Sequence, residues 1–389
     1  MNKITFIYLL GILLISCRPD QGKSNISEDN TASWVISGFV KQDDVNPILG
    51  PSGELSFLCP LTGESVMWEK RNVLNPSAIV KNDKVYLFYR AQDSLGTSRI
   101  GLAISEDGLH FIKNDRPVFY PDQDAMKPYE WNYRKIDGVP LNEDCKNCYF
   151  DGTEDPRVVE SEDGTYIMTY TAYDGNKARL SLATSKDLMH WEKHGLVIND
   201  GPYTDLWSKS GAIVTARQND KMIAVKINGY YWMYFGDTSL YLAFSKDLIH
   251  WEAAIDEESG ELLAVMHPRP GYFDSRLVEP GPYALLTEKG ILLIYNGSNA
   301  ANFNDTMLPR FTYTAGQALF DKSKPYRLLD RTEDYFLKPE KDYEMVGEVN
   351  NVCFVEGLVY FKNKWFLYYG TGDSKIAVAV SDMPFKTDS

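Results

Sequence analysis

The stretch Gly152-Thr-Glu-Asp-Pro-Arg157 puts two carboxyls, a proline and a guanidinium just ahead of the apolar Val158-Val159. A carboxyl beside a guanidinium at the mouth of a pocket has the makeup of a general acid with its orienting partner. On an open surface the same pair is a salt bridge of little consequence. Pro156 reads as a first strand residue, where no ladder hydrogen bond is lost. Recurrence favours the chemical reading. Comparable strand starts are Asn75-Pro-Ser77, Glu154-Asp155, Lys209-Ser210, Glu279-Pro-Gly281 and Glu356-Gly357. Beyond the strands that follow them come Arg90 and Asp93, Tyr173 and Asp174, Asp237, Asn296, and Asp373.

The chemistry open to such a set is carboxylate chemistry. Of the five histidines, His110, His190 and His250 share one repeat position, and His194 and His267 are isolated. No triad, zinc site, nucleophile elbow, phosphate loop or dinucleotide fingerprint is present, so neither metal nor cofactor is expected. Cleavage of a glycoside needs one carboxyl to give a proton and one to activate water. A spacing of roughly 6.5–9.5 Å gives inversion and about 5–5.5 Å gives retention. Asp155 is the best acid, with Asp237, Glu279 and Glu356 as candidates for the base. Carboxyls on walls that face one another across a pocket fit the wider spacing, so inversion is expected.

The elements that must position these groups repeat. Ile100 to Phe111, Leu180 to Trp191 and Leu240 to Trp251 each alternate as a strand, turn at Ser-x-Asp and continue into an aromatic. Ile376 to Phe385 is a degenerate fourth copy, and Arg310 to Leu319 sits where the spacing requires a fifth. An aromatic β-prone run precedes each copy, and a shorter apolar strand precedes each run. Radial repetition at this period predicts an all-β fold, a five-bladed β-propeller with a central pocket. The first strand of each blade would line that pocket. Trp34 to Val40 is expected to close the ring against the last blade.

The net charge of −14, without a basic block, argues against a nucleic-acid partner. The 25 tyrosines, 18 phenylalanines and 8 tryptophans suit hydroxyl-rich ligands or a β-rich core. Residues 1–17 read as a secretory leader, too short to span a bilayer. Leu14-Ile-Ser-Cys17 resembles a bacterial lipobox with Cys17 as the lipidated residue. Residues 18–33 read as a flexible tether and 34–389 as the catalytic propeller. Localisation at the cell envelope of a bacterium, on the periplasmic or outer-membrane face, is expected, with the lipid as the only membrane contact. In an exported chain Cys145 and Cys148 are free to close a small disulfide loop.

Asn75-Pro-Ser-Ala-Ile-Val80, Tyr89-Arg-Ala91, Ser98 to Ala103, Gly152 to Arg157, Ile294-Tyr-Asn-Gly297 and Leu367-Tyr-Tyr-Gly370 together resemble glycoside hydrolase family 130. The resemblance covers about residues 70 to 381. It implies a five-bladed propeller acting on β-mannosides, Asp155 as an acid relaying its proton through a mannose hydroxyl, and Arg90, Asp93 and Arg157 around the sugar. Most members of that family are phosphorolytic and a smaller branch is hydrolytic. Phosphorylases of the family carry a His-Arg pair ending the third-blade strand, where this chain has Phe235-Gly236-Asp237, and a histidine before glycine in the fourth-blade strand, where it has Asn296. Replacing cations by Asp237 and Glu279 would repel phosphate, although Lys209 still attracts an anion. The expectation is therefore an inverting, lipid-anchored β-mannosidase working on mannose-containing oligosaccharides or glycans. A β-mannoside phosphorylase and a non-catalytic glycan-binding propeller are the alternatives. Export weighs against phosphorolysis, because the sugar phosphate would form outside the cytoplasm.

Overall fold

The computed structural model describes residues 34–135, 139, 147–199, 201–385 and 387. The leader with Cys17, the tether and Cys145 lie outside the described residues; Cys148 is disulfide-bonded. Isolated hairpins are marginal in water, so apolar and aromatic strand runs must stack against neighbouring sheets. Here they do so as five antiparallel blades, and the chain is a five-bladed β-propeller.

Blade 1 runs Asn72–Lys81, Lys84–Gln92, Thr97–Ser105 and Ile112–Lys113, and blade 2 runs Asp151–Glu160, Tyr166–Tyr173, Ala178–Ser185 and Glu192–Leu196. In blade 3, Ala212–Gln218, Tyr231–Phe235, Leu240–Ser245 and Trp251–Ala253 are joined by the inserted strand Lys221–Ala224. Blade 4 has a split first strand, Leu277–Pro280 and Ala284–Thr287, followed by Gly290–Ser298, Tyr313–Phe320 and Leu328–Arg331. Blade 5 runs Cys353–Phe361, Lys364–Thr371 and Lys375–Ser381, and Val40–Lys41 adds to its edge. The closing strand is thus shorter and later than the sequence implies. Upstream of it, the Ile36 backbone exchanges two 2.9 Å hydrogen bonds with the Gln317 amide of blade 4.

Two repeated devices absorb the recurrent polar residues. In blade 1 the Ser105 hydroxyl accepts the Gly108 N–H, Asp107 accepts the Leu109 and His110 N–H groups, and the His110 ring meets Asp107 at 2.8 Å. The same turn holds His190 on Asp187 and His250 on Asp247. These histidines are architectural, as their recurrence implies. The second device is a buried tyrosine on the second strand that donates to a buried acid. Tyr89 donates to Glu69, Tyr170 to Glu130, Tyr295 to Asp274 and Tyr369 to Glu344. Lys113, Lys193, Arg331 and Lys41 respectively neutralise those acids. In blade 3, Tyr234 donates to the Pro325 carbonyl instead. A buried charge is tolerated only when paired, and each of these is.

Neighbouring blades come close enough to exclude side chains. Gly152 pairs in parallel with Ser98, and a Cβ on it would sit 2.1 Å from the Ser98 carbonyl oxygen at φ +116. Only glycine satisfies both constraints.

Candidate active site

The first strands do not simply start at the pocket; they pass through it and bulge. Pairing slips between Leu74 and Pro76 in blade 1, between Glu154 and Arg157 in blade 2, and between Val355 and Gly357 in blade 5. Pro156 therefore lies inside Asp151–Glu160 at a bulge, not at the strand start. A bulge also spares proline a ladder bond. At the matching positions Asn75, Asp155 and Ser210 take φ of 49, 49 and 60. Left-handed backbone at a residue with a side chain costs about 1–3 kcal/mol and persists where surrounding structure enforces it. Here it turns three consecutive blades' polar side chains to a common point.

At that point Asp155 is buried and heavily contacted. Its Oδ1 accepts the Asn75 amide N–H at 2.8 Å and Arg90 Nη1 at 3.3 Å. Arg90 also donates to Glu154 at 2.6 Å, and the Ser98 hydroxyl donates to the same carboxyl oxygen at 3.0 Å. From blade 3 comes Lys209, whose ammonium lies 3.9 Å from Asp155 and 3.7 Å from Glu279 of blade 4. Those distances put the two carboxyl oxygens within about 8 Å of each other, the reach of one pyranose ring. The Ser210 hydroxyl donates to Glu279. Asp373 of blade 5 is half-buried and lies within the field of Arg90, Asp155 and Lys209. Convergence of groups separated by up to 298 residues is thus met.

The fields decide the charge states. Burial pushes the Asp155 carboxyl up, but Arg90, Lys209, the Asn75 amide and Arg157 together hold it below its usual range. Glu154 is pushed up, chiefly by burial and with the Asp155 charge adding, against Arg90. Glu279 is likewise raised by burial, with Lys209 opposing and Asp237 adding. Burial works against the Lys209 ammonium, yet Glu279, Asp155 and Asp237 more than compensate, and it stays a cation. Burial lifts Asp373 to about 6 despite Arg90. The centre therefore sets one depressed carboxylate and one fixed ammonium beside Glu154, Glu279 and Asp373, whose proton affinity burial raises.

Other expected pocket residues are committed elsewhere. Asp93 accepts the Leu95 and Thr97 N–H groups and the buried Arg99 at 2.8 Å, and Asp174 caps its own hairpin and pairs with Arg179 in the same way. Asn296 exchanges two bonds with the Val355 backbone, at 2.9 and 2.7 Å, clasping blade 4 to blade 5. Arg157, expected around the sugar, is buried in the wall. Fully engaged, it donates to the Gly281 and Pro280 carbonyls and to Glu356 at 2.9 Å, tying blades 2, 4 and 5 together. Glu356 is buried, burial pushes its carboxyl well up, and its Oε1 is taken by Arg157, so it serves the wall between blades 2 and 5. Tyr173 lies in the field of Glu154, and Asp237 is half-buried and accepts the Trp207 indole N–H at 2.7 Å. Sequence reasoning placed Ser210 at the pocket but missed Ser98, Trp207 and Tyr313, whose hydroxyl lies in the field of Glu279. Trp207 was findable, as a tryptophan two positions before the pocket lysine.

A family model described as β-1,4-mannooligosaccharide phosphorylase of glycoside hydrolase family 130 matches residues 60–385. The 1,2-β-oligomannan phosphorylase of Thermoanaerobacter sp. (strain X514) is 30% identical, over 81% of this chain and 92% of its own. The β-1,2-mannobiose phosphorylase of the same strain is 30% identical, over 80% and 91%. A solved structure with TM-score 0.84 and 38% identity covers 92% of this chain and 98% of its own. It is described by the finding that the family of mannoside phosphorylases contains glycoside hydrolases targeting β-1,2 mannosidic linkages in Candida mannan. The characterised relatives are phosphorylases, and this overturns the expectation of a β-mannosidase. The repulsion argument behind that expectation took Glu279 as a bare carboxylate, whereas Ser210 and Lys209 close on it and burial favours its protonated form. The chain belongs to glycoside hydrolase family 130 and is an enzyme acting on β-mannosides.

Proposed function

We propose that this protein is a β-mannoside phosphorylase that transfers a mannosyl group from a β-linked manno-oligosaccharide to inorganic phosphate. The observation that carries the reading is Lys209, a half-buried ammonium between Asp155 and Glu279 in the middle of the pocket. Phosphate needs fixed positive charge, and a preorganised cation inside a partly desolvated site supplies it without reorganisation. In the reaction the bond from the anomeric carbon to the bridging oxygen breaks. A bond from that carbon to a phosphate oxygen forms on the opposite face, and the leaving oxygen takes a proton. Inversion of a β-mannoside then yields the α-configured mannose 1-phosphate.

Asp155 is our acid, relaying its proton through a mannose hydroxyl as family resemblance implies. Its depressed state in the free enzyme arises from the cations around it. A dianion seated on Lys209 offsets that field, so the carboxyl gains a proton as phosphate binds. The names of the relatives support β-1,2-linked mannosides as substrates, and the leader supports a place at the cell envelope. The test is steady-state release of mannose from β-1,2-mannobiose at graded phosphate. Turnover rising with phosphate and vanishing without it is expected; turnover indifferent to phosphate would sink the proposal.

A further inference from the structure

Trp207 is 47% exposed, an unusual setting for so large an aromatic surface. It is nevertheless held in place. The indole N–H donates to Asp237 Oδ2 at 2.7 Å, and the ring meets Tyr173 at 6.4 Å between centroids and 68° between planes. Its backbone is held on both sides: Arg179 grips Asp205 at 2.9 Å, and the Gly236 N–H donates to the Lys209 carbonyl at 2.9 Å. Gly236 sets the position of Asp237 through a turn at φ +124, where a Cβ would meet the Ser239 carbonyl oxygen at 2.2 Å. Both partners of the indole belong to the pocket, since Tyr173 lies in the field of Glu154 and Asp237 in those of Lys209 and Glu279. The exposed ring thus stands at the mouth between blades 2 and 3, beside the reacting centre.

A pinned, exposed indole offers a flat apolar face whose rim is wet. A β-mannopyranosyl unit has the complementary shape: its C1, C3 and C5 hydrogens share one face, opposite the axial 2-hydroxyl. We infer that Trp207 is the stacking platform for the mannosyl unit on the leaving side of the reacting bond, and that Asp237 is a positioning residue that holds the indole plane. The inference rests on the mannoside reading of this pocket but not on phosphate as the acceptor. It assigns Asp237 a role other than the base expected from sequence.

The test is calorimetric titration of the full chain, without phosphate, using β-1,2-mannobiose and methyl β-mannoside, which fills only the reacting subsite. Trp207→Ala should weaken mannobiose by about tenfold, roughly 1.4 kcal/mol, and methyl β-mannoside by less than about twofold. Trp207→Tyr should recover most of the loss. Asp237→Ala should copy Trp207→Ala, whereas Asp237→Asn, whose amide oxygen still accepts the indole N–H, should remain near the wild type. Equal weakening of both sugars, or no weakening of mannobiose, would overturn the platform and leave the mannoside reading intact. A wild-type chain that binds neither sugar would overturn both.

Discussion

Replacing Lys209 by methionine keeps the length of the side chain and removes the one charge that the phosphate reading depends on. The ammonium stands 3.9 Å from Asp155 and 3.7 Å from Glu279. At such distances and an effective dielectric of about 20, each unit-charge pair is worth ~4 kcal/mol before desolvation is subtracted. A dianion on the same ammonium gains comparably, and the net worth of a charge-assisted hydrogen bond is about 1.5–3 kcal/mol. Lys209→Met should therefore raise the KM for phosphate by roughly 10- to 150-fold. The fold should tolerate the change, because burial already raises the proton affinity of Glu279, so without the ammonium it can take up a proton while keeping its Ser210 bond. The assay is initial rate against phosphate at saturating β-1,2-mannobiose, with thermal unfolding as the control. A phosphate KM within twofold of wild type, in a folded variant, would refute the reasoning.

Three further outcomes are expected. Phosphate binding should take up protons, seen as a binding enthalpy that depends on the buffer's ionisation enthalpy, and Asp155→Asn should abolish both the uptake and turnover. The sign follows from Asp155 being depressed in the free enzyme and less so beside the dianion. Between those two values the complex holds more protons, so phosphate affinity falls as pH rises through the window. Arg157→Met should cost about 3–5 kcal/mol in chemical denaturation by stranding Glu356 and the Gly281 and Pro280 carbonyls, while Glu356→Gln, which keeps an oxygen acceptor for Arg157, should cost less than about 1.5 kcal/mol. Labelled fatty acid fed to producing bacteria should enter the protein, and Cys17→Ser should prevent it; equal labelling of both would refute the anchor.

The fold was legible because its signal is periodic: the Ser-x-Asp turns and the aromatic runs name the blades without reference to tertiary contacts. Convergence of Asn75, Arg90, Asp155, Lys209 and Glu279 followed from that topology alone. Direction was not legible. Asp93 and Asp174 have the residue type of a sugar ligand, yet a hairpin cap uses the same carboxylate and wins when backbone N–H groups lie two to four residues ahead. Arg157 sits one bulge away from Asp155, and that extra residue turns it from the pocket into the wall. The reaction itself was misread through charge. Asp237 and Glu279 count as two negatives in a sequence, but burial, Ser210 and Lys209 change what Glu279 presents to an anion, and Trp207 occupies Asp237. Such coupling between blades leaves no mark on any single stretch.

The central claim is that phosphate, not water, takes the mannosyl group. Its most direct measurement is a joint ³¹P and proton magnetic-resonance time course of the chain with β-1,2-mannobiose and inorganic phosphate, read at first formation of product. α-Mannose 1-phosphate appearing in step with one equivalent of free mannose is the expected result. Two equivalents of free mannose with the phosphate signal unchanged would contradict the account.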